Sequence, residues 1–300
     1  MKLTGIHFLL SYRCTYECDH CFVWGSPQAN GAMTLAQVRD VLHQARDLGT
    51  VDMVYFEGGE PFLFYPIMLA GLREAAALGF DRGVVTNCYW ATSVEDALHW
   101  LRPIAEIGLS DLSLSSDLFH GEAVMTQTAR NAVVAAGQLG LPEGVITIEV
   151  PEGCTTYSPK ARGEPVTGGA VRFRGRAAAA LTDGVPRLPW TGFTACPDED
   201  LTDPGRVHVD AYGNLHVCQG LVMGNLLRQP LAAIVEDYDP HAHPIIGPLL
   251  DGGPAALAER YGLPHHDTYI DACHLCYLTR DALRARFPEA LAPGEMYGEF

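Results

Sequence analysis

GIHFLLSYRCTYECDHC (residues 5–21) joins a short apolar run to a C-x3-C-x2-C pattern made by Cys14, Cys18 and Cys21. The run reads as a buried strand, and the cysteines arrive where it ends. Three thiolates this close can wrap one corner of a metal cluster but cannot close four positions. A [4Fe–4S] cluster held by three cysteines keeps one iron open to a ligand that is not protein, and open positions do chemistry. A bare three-cysteine run can also be a zinc knuckle.

Working outward, residues 3–11 are predicted as the first strand. MTLAQVRDVLHQARDLG (33–49) has helical spacing, with Thr34 as N-cap and Gly49 as stop. VDMVYFEGG, GVVTNCYW, DLSLSSD and GVITIEV read as the next strands, and AVRFRGRA (170–177) as a sixth. The stretches 66–79, 93–108 and 123–140 read as the helices between them. Strand and helix alternate with short loops, the pattern of parallel β/α units with right-handed crossovers. Functional residues in such folds gather at the C-terminal ends of strands. Beyond about residue 185, Pro186, Pro189, Pro197 and Pro204 break the pattern. GRVHVDAYGNLHVCQG (205–220) then reads as a hairpin turning near Gly213-Asn214, followed by helices in PAALAERYG and YLTRDALRARF. The expected boundary lies near 185–192, giving units 1–188 and 189–300.

The composition, 48% hydrophobic and 19% charged over 300 residues, is that of a globular protein. A net charge of −16 argues against a nucleic-acid partner, which needs clustered Lys and Arg. Nine cysteines without a secretory signal favour metal over disulfides and predict a cytoplasmic protein. No stretch approaches the ~20 apolar residues of a membrane span.

YFEGGEP (55–61) follows the cysteines at the distance that makes the combination resemble the radical S-adenosylmethionine (radical SAM) superfamily. The resemblance implies an α/β fold, a partial (β/α)6 TIM-like barrel open on one side. It also implies a SAM-binding [4Fe–4S] cluster on Cys14, Cys18 and Cys21, whose fourth iron takes the amino and carboxylate groups of SAM. His20 fills the place of the residue that seats adenine through its backbone; an extra ligand is the other reading. Gly58, Gly59, Glu60 and Pro61 correspond to the SAM-amino motif, the glycines letting backbone approach a ligand and the carboxylate suiting an ammonium. Asn87 belongs to TNC, where the family has TNG. Cys88 replaces that glycine and is either a small buried residue or a catalytic thiol that donates a hydrogen atom. Ser115 and Asp117 fall where the family contacts the SAM ribose, although Asp117 could instead cap a helix. Ile148 is a candidate for adenine packing or plain core, and Arg176 for the SAM carboxylate.

Cys196, Cys218 and the Cys273-His-Leu-Cys276 pair resemble the shortened "twitch" form of the SPASM auxiliary-cluster domain, a small α+β unit. The resemblance implies one auxiliary [4Fe–4S] cluster serving electron transfer; a structural zinc site is the alternative. Cys154 is a spare or pocket thiol, and His241/His243 and His265/His266 read as surface loop residues. The implied activity is reductive cleavage of SAM to a radical that abstracts hydrogen from a substrate C–H. Oxidative modification of a peptide is expected, with flavodoxin or ferredoxin as donor and a separate leader-peptide-binding protein as a further candidate partner. Alternatives are dehydrogenation of a small polar metabolite, as in the aminocyclitol dehydrogenase of butirosin biosynthesis, and redox-neutral epimerisation through Cys88. A scaffold without turnover would have no need of the GGEP motif.

Overall fold

The computed structural model describes residues 1–151, 162–163 and 168–299, so Cys154 lies outside the described residues. Strand β1 (Gly5–Ser11) is buried along its whole length and runs parallel to neighbours on both sides, which is why its sequence is nearly continuous apolar. Helix α1 (Leu35–Leu48) follows with the predicted cap. The Thr34 side chain accepts from Gln37 N–H, and the Gln37 side chain accepts from Thr34 N–H. Its buried stripe is Val38, Val41, Leu42 and Ala45, the one-face spacing of a helix.

The alternation continues through β2 (Met53–Gly58), α2 (Tyr65–Ala77), β3 (Asp81–Thr86), α3 (Val94–Ile107), β4 (Asp111–Ser115), α4 (Gln127–Leu139) and β5 (Glu143–Glu149). Then come β6 (Gly168–Ala170), α5 (Ala177–Ala180), β7 (Leu188–Pro189), β8 (Arg206–Val209), β9 (Asn214–Cys218) and β10 (Leu221–Asn225). Last are α6 (Leu231–Glu236), α7 (Ile246–Tyr261), β11 (Thr268–Tyr269) and α8 (Ala272–Leu283). One nine-stranded sheet has the order β10-β9-β8-β1-β2-β3-β4-β5-β6, parallel from β8 through β6. Phe8 and Phe56 stack on its outer face, and Phe56 lies against Gly71 of α2. The alternate residues of the same strands, His7, Tyr55 and Glu57, take the opposite, inner face.

Five expectations need correction. The sixth strand is Gly168–Ala170, and residues 172–176 leave the sheet because their arginines are drawn to other partners, as described below. The hairpin does not stand apart: β8 pairs in parallel with β1, so it extends the same sheet. The CxxC pair lies inside α8 rather than before it, because Asp271 accepts from His274 N–H and starts the helix one residue ahead of Cys273. The helix read at 254–262 begins at Ile246 and kinks at Gly252-Gly253. His243 is not a loose surface residue either. Its Nε2 lies 3.0 Å from Val222 O, and its Nδ1 accepts from Ile245 and Ile246 N–H at the start of α7.

Candidate active site

The loop carrying Cys14, Cys18 and Cys21 leaves the C-terminal end of β1 and is pinned from two sides. From β2, Gly59 N–H donates to Ser11 O (2.6 Å) and Glu60 N–H to Arg13 O (2.9 Å). A Cβ on Gly58 would sit 2.5 Å from Ser11 O, and one on Gly59 2.2 Å from Arg13 O. The two glycines therefore make room for the chain's own backbone, where the sequence reading had them admit a ligand. From the other side, Arg176 donates through Nη1 to Cys18 O (2.7 Å) and through Nη2 to Gly25 O (2.8 Å), with its guanidinium over the Trp24 ring. Arg176 is thus a clamp on the cysteine loop, and its two Nη groups are committed there rather than to a carboxylate.

The thiols have the surroundings an anionic cluster needs. Cys14 Sγ accepts from Tyr16 N–H (3.5 Å) and Asn87 Nδ2 (3.4 Å), and Cys21 Sγ from Gly25 N–H (3.1 Å). Such donors stabilise negative charge on sulfur. Without a metal charge, burial pushes the Cys14 thiol up to about 12 and Cys18 higher still. Asn87 therefore reaches a predicted iron ligand, a contact its position in TNC did not foretell.

Glu60 is fully buried. Its Oε1 accepts from Phe62 N–H and Thr86 Oγ1, and its Oε2 from Asn87 N–H, so it staples the end of β2 to the end of β3. Burial outweighs these donors and raises its pKa to about 7. Three of about four acceptor positions on a carboxylate are occupied, so little of it is free for an ammonium. Pro61 opens the turn that follows. Cys88 is buried, stands at φ +63°, and lies with Sγ 3.8 Å from Thr86 O. Burial pushes its thiol far up.

Ser115 ends β4 and is half-buried. Asp117, just beyond, is buried and organises its surroundings. Its Oδ1 accepts from Phe119 N–H and lies 2.7 Å from His120 Nδ1; its Oδ2 accepts from Ile148 N–H and lies 3.1 Å from His20 Nε2. Burial opposes its charge, but the bonds from His120 and His20 outweigh it and hold the carboxyl well below the usual range. Both oxygens are taken by the protein, so Asp117 positions two imidazoles rather than offering a free acceptor to a ribose. The Ile148 side chain packs against the small cluster of Val171, Phe173, Ala177, Val185 and Ile270.

The C-terminal cysteines converge. Cys196, Cys218, Cys273 and Cys276 line one cleft with Arg174, Asp198 and Arg280. Arg174 Nη1 donates to Cys218 Sγ (3.4 Å), and Cys273 Sγ to Asp198 Oδ2 (2.9 Å). Arg280 is 2% exposed and donates to Gln219 O, with Cys276 and Cys218 among the groups around it. A buried guanidinium facing thiols fits a negatively charged tetrathiolate centre. Sequence reasoning missed both arginines, although the alternation R-F-R-G-R at 172–176 was a signal. Arg174 reaches the C-terminal cleft and Arg176 the N-terminal loop, so one short segment touches both. Trp24 Nε1 also donates to Tyr277 OH (2.7 Å), next to Cys276.

The family model of the radical SAM superfamily matches residues 8–132. YydG of Bacillus subtilis (strain 168), whose name assigns it to peptide biosynthesis, is 23% identical over 122 residues, 41% of this chain and 38% of that protein. The chain matches 38% and 33% of the lengths of YydG and a second curated relative, respectively. Streptococcus suis SuiB bound to precursor peptide SuiA aligns with TM-score 0.54 and 13% identity, covering 86% of this chain and 74% of that one. BtrN in complex with AdoMet and 2-DOIA aligns with TM-score 0.51 and 15% identity, covering 77% and 81%. At these identities the two structures establish the fold, and the parallel sheet matches their TIM-like barrels. The match is thus to a radical SAM domain over residues 8–132, and that domain implies SAM and a [4Fe–4S] cluster.

Proposed function

We propose that this chain is a radical SAM oxidoreductase acting on a peptide, with a second cluster as electron acceptor. When bound, SAM with its cluster would supply the radical chemistry that removes a hydrogen atom from a substrate C–H. Cys14, Cys18 and Cys21 hold that cluster; Asn87 and the Gly25 N–H bias the sulfurs toward the charged state, and Arg176 with Gly58-Gly59 fixes the loop. The observation that carries the oxidative reading is the convergence of Cys196, Cys218, Cys273 and Cys276, all half-buried, on one arginine-lined cleft. A fully protein-ligated centre there has no open position, which suits electron transfer. The name of YydG and the peptide bound to SuiB support a peptide substrate over a small metabolite.

The test is anaerobic reconstitution with iron and zinc counted per chain. About eight irons are expected in the wild type and about four in the Cys14/Cys18/Cys21 triple alanine variant, at four per cluster. Cys273→Ala is expected to keep 5′-deoxyadenosine formation and lose peptide oxidation. About four irons with one zinc bound by sulfur would remove the electron acceptor and overturn the oxidative reading.

A further inference from the structure

The inner face of the sheet carries polar groups that neither cysteine site uses. His7 of β1 pairs in register with Tyr55 of β2 and with His208 of β8, and Glu57 lies one inward position further along β2. His7 Nδ1 is 2.9 Å from Glu57 Oε1, and His208 Nε2 is 3.0 Å from that same oxygen. One ligand atom from each of the three residues lies within 4.8 Å of the other two. Side-chain exposures are 8% for His7, 7% for His208 and 12% for Glu57, so the group is reached past the carboxylate.

Two imidazoles crowd one carboxylate oxygen, and no described donor reaches the other, Oε2. A set of hydrogen bonds built to satisfy the carboxylate would use both oxygens. Convergence on a single point is what an ion requires. The rings are also held in place. His7 stacks on Tyr55 at 4.6 Å, and Gly83 leaves the space that the Tyr55 ring fills, a Cβ there falling 2.1 Å from it. His208 lies against Phe22, next to Cys21.

We propose that His7 Nδ1, His208 Nε2 and a Glu57 oxygen form a divalent-cation site on the inner face. Two nitrogens and one carboxylate suit zinc or ferrous iron, not calcium or magnesium, and three protein ligands leave a position open. Glu57 directly precedes the glycine pair that seats the cysteine loop, so the group sits at the strand end that carries that loop. The open position takes an oxygen donor of the substrate, such as a peptide carbonyl, and anchors it by Lewis-acid contact. That use rests on the reading proposed above; the site itself does not.

The test needs no turnover. The reconstituted protein is dialysed against micromolar Zn2+, and zinc and iron are counted on the same samples for wild type, Glu57→Gln and His208→Ala. The variants are expected to hold one zinc per chain fewer than wild type, with iron unchanged. Zinc X-ray absorption of the wild type is expected to contain a nitrogen/oxygen shell at about 2.0–2.1 Å. Equal zinc in wild type and variants overturns the site. Should the variants lose iron because they misfold, the wild-type spectrum decides: a nitrogen/oxygen shell supports the site, and a purely sulfur shell at about 2.3 Å overturns it. Iron reports the clusters separately, so failure of the oxidative reading is distinguishable from failure of this one.

Discussion

Cys88 sits in a left-handed conformation that suits glycine, yet its side chain is wholly buried. The strain costs roughly 1–2 kcal/mol, and the thiol packing returns a similar amount. Cys88→Ala keeps the strain and loses packing; Cys88→Gly loses both. The glycine variant is therefore expected to be at least as stable as the alanine variant in urea unfolding, the reverse of the usual order. A glycine variant less stable by more than about 1 kcal/mol would show that the backbone is unstrained. Arg176 gives a second prediction at this scale. Arg176→Ala removes both carbonyl contacts to the cysteine loop, so up to about four irons per chain should be lost after desalting, while the C-terminal centre stays loaded. The cysteines and the GGEP turn were legible because their spacing is local. The partners of Glu60, Asp117 and Arg176 were not. Each is consumed by groups from another element (Asn87 and Thr86, His20, Cys18), and a single sequence does not record which acceptor the fold brings close.

At the scale of elements, caps and periodicity predicted α1 to α4 and the first five strands, with the register left open. The misplaced sixth strand follows from chemistry outside any strand pattern. Arg172 pairs with Asp198 and Arg174 with Glu199, and those bonds pull 172–176 out of the sheet. Two glycines test how far tertiary packing overrides propensity. Gly83 lies in β3 under the Tyr55 ring, whereas Gly137 lies in α4 with nothing near its missing Cβ. Gly137→Ala is expected to stabilise by about 0.5–1 kcal/mol. Gly83→Ala is expected to destabilise by about 1–3 kcal/mol and to displace Tyr55, measurable as altered near-ultraviolet circular dichroism. His243 supplies a pH test. Burial lowers its pKa, and its Nδ1 must stay unprotonated to accept from the first N–H groups of α7. The native state then binds fewer protons than the unfolded one, so stability falls as pH drops below about 6.5. His243→Asn should flatten that slope; an unchanged slope would assign it elsewhere.

For the whole molecule, the sequence suggested two units joined near residue 188, and the proline-rich change of pattern there is real. What the pattern could not show is that the second part completes the sheet of the first. β8 covers the edge of β1, Gly205 O accepts from Thr4 and Gly5 N–H, and Tyr12 OH donates to buried Asp210. A single hydrophobic cluster runs from Leu3 to Tyr297 through both parts. Removing residues 189–299 would leave β1, wholly buried in the intact chain, as a long apolar edge strand, the kind that pairs with other chains. The two parts should therefore melt together. Far-ultraviolet dichroism, which reads the helices of both parts, and the fluorescence of Trp24, Trp90, Trp100 and Trp190 are expected to give one coincident transition in urea. Residues 1–188 expressed alone are expected to aggregate. Two separated transitions, or a soluble fragment with native near-ultraviolet signal, would mean that β1 tolerates an open edge and that the proline-rich change near 188 is an energetic boundary as well as a compositional one.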